Sequence, residues 1–198
     1  MKYSRLHVLA ILSLATVTFG ANSTGDDHRQ PLFNGKDLNG WVIMNDAAFS
    51  VTNGVIHLDQ STGWLRTEKE YTNFVFEAEW RGLETNYNSG FYIRAGLEGK
   101  PHPTDAWQVN LKQSALGQIL RGKPEVRPSN IPSLPANEWV KFRIEANGKK
   151  LTLEVNGTHA WEFDKLDVDH GYIGIQAEGR PLDFRNLRVR EILDRPAK

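Results

Sequence analysis

The chain has 198 residues, of which 39% are hydrophobic and 24% charged, and its formal net charge is zero. This size and composition predict one globular domain with a core of its own. No basic run marks a surface for nucleic acid or for an anionic membrane, so the charge pattern argues against both partners. The chain has no cysteine, and its stability must therefore come from packing.

The first residues have the layout of a secretory signal peptide, which we place at residues 1–21. Lys2 and Arg5 precede an apolar run at 8–19, and small residues follow. That run is too short to span a bilayer comfortably as a helix. We expect a secreted or periplasmic protein without a stable membrane anchor after cleavage. Without the leader the chain has 22 basic and 24 acidic side chains, a net charge of about −2.

The mature chain is predicted to start with a flexible polar leader at residues 22–30, followed by a single domain at residues 31–194. Short alternating runs fill this domain, and Gly, Asn, Asp and Pro separate them. Asn-Gly pairs predict tight hairpin turns. The clearest meander consists of runs at 140–146, 151–155 and 161–163.

The stretch at residues 74–96 contains two alternating runs around a polar connection. Phe74, Phe76, Ala78 and Trp80 share one face of the first run, because side chains alternate with a period of two along a strand. We interpret the two runs as paired strands that bury one face and display a polar platform on the other.

About a dozen short strands without a helical pattern predict an all-β fold, an antiparallel two-sheet jelly-roll sandwich. If the outward faces of several strands belong to one sheet, their polar side chains converge on one concave surface. Such mixtures of donors, acceptors and aromatic rings bind sugars. Each residue alone is more typical of solvated sheet surface, and only the shared bias towards Arg, Gln, Asn and Tyr makes a sugar site an equal alternative. The set comprises Glu77, Glu79, Tyr92, Arg94, Gln108, Asn110, Tyr172, Gln176, Asp183 and Arg185.

Other motifs give weaker alternatives. Nucleotide-binding glycine motifs are absent, and no histidine pair has the i, i+4 spacing of a zinc site. The segment 167–170 offers calcium ligands but is more typical of a solvated turn. Glu162, Asp164 and Asp167 resemble the Glu-x-Asp-x-x-Glu strand of laminarinase-type glycosidases; the alternative is exposed charges that protect a sheet edge.

Five blocks along the chain resemble the 3-keto-disaccharide hydrolase family, and together they cover nearly the whole predicted mature chain in order. This resemblance implies a secreted bacterial protein with a concanavalin-like jelly roll, and it points to oxidised sugars as substrates. The blocks begin LFNGKDLNGW, WLRTEKEYTN, NSGFYIRAG, NEWVKFRIEANG and IGIQAEGRPLDF.

The chemistry that the resemblance implies is elimination. A ketone at C3 acidifies the C2 proton and places the anomeric leaving group β to the carbonyl, so a base at C2 can expel it and water can add afterwards. Such a site needs a base, a proton donor for the departing oxygen and stabilisation of the enolate. By resemblance, Glu79 is a base or holds an arginine, Arg94 or Arg185 stabilises the enolate, and Gln176 lies at a matching position.

The chain differs from the family at two places. Gln108 and Asn110 stand in a Trp-Gln-Val-Asn strand where many relatives have Tyr-Glu-Val-Gln, so a carboxylate is lost. Glu178 stands in Gln-Ala-Glu-Gly where many relatives have Gln-Asp-His-Gly, and it offers a substitute base. We therefore expect a hydrolase or lyase of 3-keto-glycosides, with a divalent metal as an open question; the alternative is a non-catalytic carbohydrate-binding module. The expected site is catalytic Glu79, Arg94, Glu178 and Arg185 with substrate-binding Tyr92, Gln108, Asn110 and Gln176.

Overall fold

The structure is a computed structural model that describes residues 29–122, 125–127 and 130–193. The predicted signal peptide and residues 22–28 of the predicted leader lie outside the described residues. Within them, the regular elements are strands and one short 3-10 helix at Gln113–Ala115. No helix in this part of the chain is long and apolar enough to cross a bilayer.

The described strands have the following bounds: β1 Gln30–Pro31, β2 Trp41–Met44, β3 Phe49–Thr52, β4 Val55–Leu58, β5 Thr62–Tyr71, β6 Phe74–Gly82, β7 Gly90–Ala95, β8 Trp107–Asn110, β9 Ile119–Arg121, β10 Glu125–Arg127, β11 Val140–Asn147, β12 Lys150–Val155, β13 Thr158–Phe163, β14 Gly171–Glu178 and β15 Leu182–Glu191.

The strands form two antiparallel sheets. Sheet A has the order β13-β12-β11-β6-β15-β4-β3, with β1 paired to β15, and sheet B has the order β10-β9-β8-β7-β14-β5-β2. Seven of the thirteen pairings among the described strands join strands that are not consecutive in the chain, as expected where the chain crosses between the layers of a sandwich. The predicted all-β, two-sheet antiparallel fold is confirmed.

The core lies between the sheets and is rich in aromatic rings. Phe91 of sheet B meets three rings of sheet A edge-on, with centroid distances of 5.2 Å to Phe76, 6.3 Å to Phe142 and 6.1 Å to Phe184. All four side chains are fully buried. Each such pair contributes roughly 0.5–1.5 kcal/mol beyond the burial of its area. These rings fix which face of each strand points inward, and therefore which residues face solvent.

The expected pairing of the two runs at residues 74–96 is wrong. β6 pairs with β11 and β15 in sheet A, whereas β7 pairs with β8 and β14 in sheet B. The connection at 83–89 crosses the sandwich, and the buried Tyr87 on it donates its hydroxyl to the Leu134 carbonyl at 3.0 Å. Alternation identified the inward faces correctly, but it carries no information on which strand lies beside which.

Candidate active site

A cleft of about 730 Å³ lies on the outer face of sheet B. Strands β7, β8 and β14 form its floor, while the 96–106 loop and residues that follow β8 form its walls. Five of the predicted site residues line this cleft: Tyr92, Gln108, Asn110, Gln176 and Glu178.

A row of hydrogen-bonded side chains crosses this floor. Gln108 donates from Nε2 to Gln176 Oε1 at 2.8 Å, and Gln176 donates from Nε2 to Glu178 Oε2 at 2.7 Å. Gly90, opposite Asn110 on the neighbouring strand, leaves room for this row because a β-carbon there would lie only 2.7 Å from Gln108 Cγ. The glycine therefore lets a long amide lie flat across the sheet.

His102 joins the row from above, and sequence reasoning missed it. Its Nε2 lies 3.0 Å from the Ala177 carbonyl and 3.4 Å from Glu178 Oε2. Both neighbours are acceptors, so Nε2 carries a hydrogen, which leaves Nδ1 as the nitrogen able to exchange a proton with a ligand. The only sequence signal is its position between Pro101 and Pro103 in a long loop.

The loop that carries His102 is anchored on the sheet. Its end at Ala106 joins a small apolar cluster with Trp64, Tyr92 and Ala95 on the outer face of sheet B. Within the loop, the Thr104 amide donates to the Glu98 carbonyl at 2.9 Å. His102 is therefore held in place by packing and by backbone hydrogen bonds.

Tyr92 is a neutral donor at the base of the cleft. Burial raises the pKa of its phenol strongly, the charge of Glu178 raises it further, and a hydrogen bond with Gln176 acts in the opposite direction. Its ring meets Trp64 edge-on at 5.7 Å. The hydroxyl therefore remains protonated across the physiological range.

Asn110 lies in the cleft but its amide is already engaged. Oδ1 accepts from the Lys112 backbone amide at 3.0 Å, and Nδ2 donates to Gln118 Oε1 at 3.1 Å. This amide ties together the chain that leaves β8 and returns to β9. Asn110 thus shapes the wall of the cleft.

Arg94 does not face the cleft, contrary to expectation. It has φ of 51° at a bulge in β7, where the register with β14 shifts, and its side chain is 1% exposed. Its guanidinium donates to the carbonyls of Thr72, Gly148 and Val168 at 2.7, 2.8 and 2.7 Å. The extra residue of a bulge re-aims the side chain, and here the arginine ties three loops at one end of the sandwich.

Glu79 and Arg185 lie on the other sheet. They are neighbours on β6 and β15, where Arg185 Nε donates to Glu79 Oε2 at 2.7 Å and the guanidinium stacks 3.9 Å from the Trp139 ring centre. Partial burial acts to raise the pKa of Glu79, but hydrogen bonds from Arg185 and Asn186 outweigh it and lower that pKa.

The expectation that all ten polar residues share one concave face is therefore wrong. Glu77 and Asp183 also belong to sheet A, where Asp183 binds Arg81 at 2.7 Å and His57 at 2.8 Å. Tyr172 is on sheet B, but the Arg66 guanidinium lies 4.3 Å from its ring centre. Both sheets alternate, so the sequence pattern could not separate their outer faces.

Metal ligands are few around the cleft. Across residues 29–122, 125–127 and 130–193, no three His, Cys, Asp or Glu side chains group closely enough to hold a metal ion. In the cleft only His102 and Glu178 approach each other, and two such donors do not make up the ligand set of a resident divalent metal.

The other carboxylate candidates are paired outside the cleft. Glu162 on β13 binds Lys150 at 2.7 Å, and Asp167 accepts from the Trp107 indole at 2.9 Å and lies 3.1 Å from Arg121. Neither the laminarinase-like pattern nor the calcium alternative at 167–170 gains a further ligand from the part of the chain that the structure describes.

Similar folds occur in solved carbohydrate-related proteins. A candidate glycosyl hydrolase from Parabacteroides distasonis has a TM-score of 0.70 and 20% identity over 84% of this chain and 94% of that chain. The carbohydrate-binding module CBM66 from Bacillus subtilis has a TM-score of 0.66 and 13% identity over 77% and 96%. The exoplasmic/lumenal domain of VIP36, in a Ca²⁺/Man3GlcNAc-bound form, has a TM-score of 0.62 and 10% identity over 86% and 90%. Similarity at these identities shows the fold.

Together with the family that its sequence matches, the fold defines the chain as a carbohydrate-related β-sandwich domain. The chain belongs to the family described as the 3-keto-alpha-glucoside-1,2-lyase-like domain, which matches residues 28–190. The resemblance found in the sequence is thereby confirmed. No curated protein matches the chain significantly.

Proposed function

We propose that the protein cleaves the glycosidic bond of 3-keto-glycosides or 3-keto-disaccharides by elimination in the cleft of sheet B. The observation that carries this proposal is the row Gln108–Gln176–Glu178 along the cleft floor. It combines a carboxylate that can take a proton with amides that can bind sugar hydroxyls. Membership in the 3-keto-alpha-glucoside-1,2-lyase-like family supports the choice of an oxidised sugar.

In the proposed reaction, Glu178 removes the proton from C2 of the sugar. The electron pair of the C2–H bond forms the C1–C2 double bond through an enolate, the C1–O bond breaks, and its electron pair leaves with the aglycone oxygen, which takes up a proton. The products are a 2-hydroxy-3-keto-glucal and the free alcohol. Addition of water across the double bond then gives the hydrolysis product.

Neighbouring groups meet the remaining needs of this reaction. The enolate needs hydrogen-bond donors, and the neutral Tyr92 hydroxyl lies in the cleft with the amide of Gln108. The cleft is also lined by Lys100 and Lys112, two cations that favour the charge which develops at the C3 oxygen. These groups replace Arg94 and Arg185, which were expected to stabilise the enolate.

One observation favours a second candidate, a non-catalytic carbohydrate-binding module. Gln108 stands where many relatives have a carboxylate, and a neutral amide cannot act as a base. An amide row supplies the donors and acceptors that sugar hydroxyls need whether or not turnover follows. We also propose that the protein works outside the cytoplasm, because residues 1–21 have the layout of a signal peptide.

The test compares substrates with hydrogen or deuterium at C2. Purified mature protein is incubated with 3-keto-disaccharides and with the matching unoxidised sugars, and products are followed by NMR. Elimination predicts cleavage of the keto substrates alone, slower turnover with deuterium, and loss of the label to water. Cleavage with the label retained would contradict the elimination. Saturable binding without any cleavage would favour the binding module.

A further inference from the structure

We infer that His102 is the general acid that protonates the departing oxygen, so that the acid and the base of the reaction come from different elements of the fold. This inference rests on the proposed function and assigns a catalytic residue within it. The base, Glu178, belongs to strand β14, and the acid belongs to the 96–106 loop that covers the cleft.

The position of the imidazole supports this role. His102 lines the cleft with Glu178, and its Nε2 is 3.4 Å from the Glu178 carboxylate. The Ala177 carbonyl accepts from the same nitrogen at 3.0 Å. An acceptor at Nε2 fixes the ring and its hydrogen, as in other sites where a carboxylate or a carbonyl orients a catalytic histidine. The imidazolium then presents its Nδ1 hydrogen as the one for a bound substrate.

The titratable side chains that line the cleft near His102 are Tyr92, Lys100, Lys112 and Glu178. Glu178 makes the close charged contact, and the Tyr92 ring packs 6.4 Å from the imidazole centre. The Glu178 carboxylate and the His102 imidazole are therefore the two proton-transfer groups that approach each other in this part of the cleft.

The proton balance closes without another reactant. Glu178 gains the proton from C2, and His102 loses its Nδ1 proton to the oxygen that leaves C1. Both side chains are partly exposed, at 39% and 21%, so afterwards Glu178 releases its proton to water and His102 takes one up. The enzyme returns to its starting state, and the products are the unsaturated keto sugar and an alcohol.

The loop holds the imidazole against the strand that carries Glu178. It is fixed by the contact of Asn45 Nδ2 with the Pro101 carbonyl at 2.9 Å and by the buried Pro103. The strand carboxylate and the loop imidazole therefore make up one site.

The test uses two substrates that differ only in the leaving group, methyl and 4-nitrophenyl 3-keto-α-glucoside. Methoxide is a poor leaving group and needs an acid, whereas nitrophenolate leaves without one. His102→Gln should lower kcat/KM about 100-fold for the methyl glycoside, in line with the loss of a general acid, and less than about 5-fold for the nitrophenyl glycoside. Glu178→Gln should lower both equally.

Two controls separate this result from other causes. His159→Gln changes a histidine on strand β13, outside the cleft, and should leave both substrates unaffected. Equal losses for both substrates in His102→Gln, or no loss in either, would overturn the assignment of the acid. If the unaltered protein cleaves neither substrate, the proposed function itself fails, and that outcome is distinct from an error about His102.

Discussion

The outer faces of the two sheets are both polar, yet they use their polar residues differently. On sheet A, charges neutralise one another, as in Arg185 with Glu79 at 2.7 Å and Arg81 with Asp183 at 2.7 Å. On sheet B, the neutral amides of Gln108 and Gln176 form a hydrogen-bonded row that ends at the Glu178 carboxylate, and the 96–106 loop walls the cleft above this row. Charged side chains that already bind each other have few free hydrogen-bonding positions for a ligand, whereas each amide keeps further donor and acceptor positions.

Polar alternation alone does not identify a binding face. The 96–106 loop makes the difference, because it walls one outer face and adds an imidazole to it. If this account is right, substitutions on sheet B should act on turnover, while substitutions on sheet A and at Arg94 should act on stability.

The largest expected effect is the loss of the base. Glu178→Gln keeps the shape and a hydrogen-bonding group but cannot accept a proton, so we expect kcat for 3-keto-glycosides to fall about 1000-fold. The thermal midpoint should change little because the carboxylate is partly exposed. Kinetics and calorimetry on the same preparation check both. Near-normal turnover in this variant would contradict the assignment of the base.

The second largest expected effect is a loss of stability when Arg94 is replaced. Arg94→Lys removes a buried planar guanidinium that donates to the carbonyls of three loops, and we expect the free energy of unfolding to fall by about 3 kcal/mol. The thermal midpoint should drop by about 10 °C for a chain of this size. Arg185→Lys, at a partly exposed pair, is the matched control and should cost less than about 1 kcal/mol. An unchanged midpoint in Arg94→Lys would show that the loops do not depend on it.

Glu79→Gln tests the separation of the two faces. Because Glu79 lies on sheet A and pairs with Arg185, we expect kcat/KM to stay within about 2-fold and stability to fall by less than about 1 kcal/mol. Steady-state kinetics beside Glu178→Gln provides the comparison. A loss of turnover as large as that of Glu178→Gln would reverse the assignment of the two faces.

The ion pairs of sheet A should appear in the acid dependence of stability. Burial acts to raise the pKa of Glu77, but hydrogen bonds and charges from Arg29 and Lys141 lower it below its ordinary value of 4.5. A depressed folded pKa means that the stabilisation is full above that value and is lost as the pH falls through the folded pKa. Glu77→Gln should therefore flatten the decline in stability below about pH 4.5.

Denaturant unfolding across pH 3 to 7 measures this change in slope, with Glu68→Gln, an exposed residue outside these pairs, as control. We expect a difference of about 1 kcal/mol between the ends of this range. Parallel curves for the unaltered protein and Glu77→Gln would mean that the pairs contribute nothing.

A moderate effect on turnover is expected at Gly90. A methyl group there would collide with the Gln108 side chain and move it away from Gln176, so Gly90→Ala should lower kcat/KM about 5-fold. If the methyl group acts through this amide, adding it to Gln108→Ala should cost nothing further. Additive losses in the double variant would show that Gly90 acts in another way.

Much of the fold followed from periodicity. The meander of β11 to β13 and the inward faces of β6 and β7 depend on local alternation and Asn-Gly turns, which the sequence displays directly. The pairing of β6 with β15 cannot be derived from local alternation, because the partner residues are about a hundred positions apart in the chain. For this reason the predicted polar platform combined residues of two sheets.

Periodicity predicted the cleft only in part, because alternation identifies strand residues but not loop residues or bulges. Gln108 and Gln176 were found because they alternate with core residues on strands that prove to share a sheet. Arg94 was misplaced because a bulge interrupts the alternation at that residue. His102 belongs to a loop without periodicity, and only the fold brings it to Glu178.

The most direct test of the central claim is a crystal structure of Glu178→Gln soaked with a 3-keto-disaccharide, a complex that turnover does not destroy. We expect the oxidised ring on the outer face of sheet B, with C2 facing residue 178, the amides of Gln108 and Gln176 on its hydroxyls, and the glycosidic oxygen towards His102. Sugar bound instead against Glu79 and Arg185 on sheet A would contradict the account.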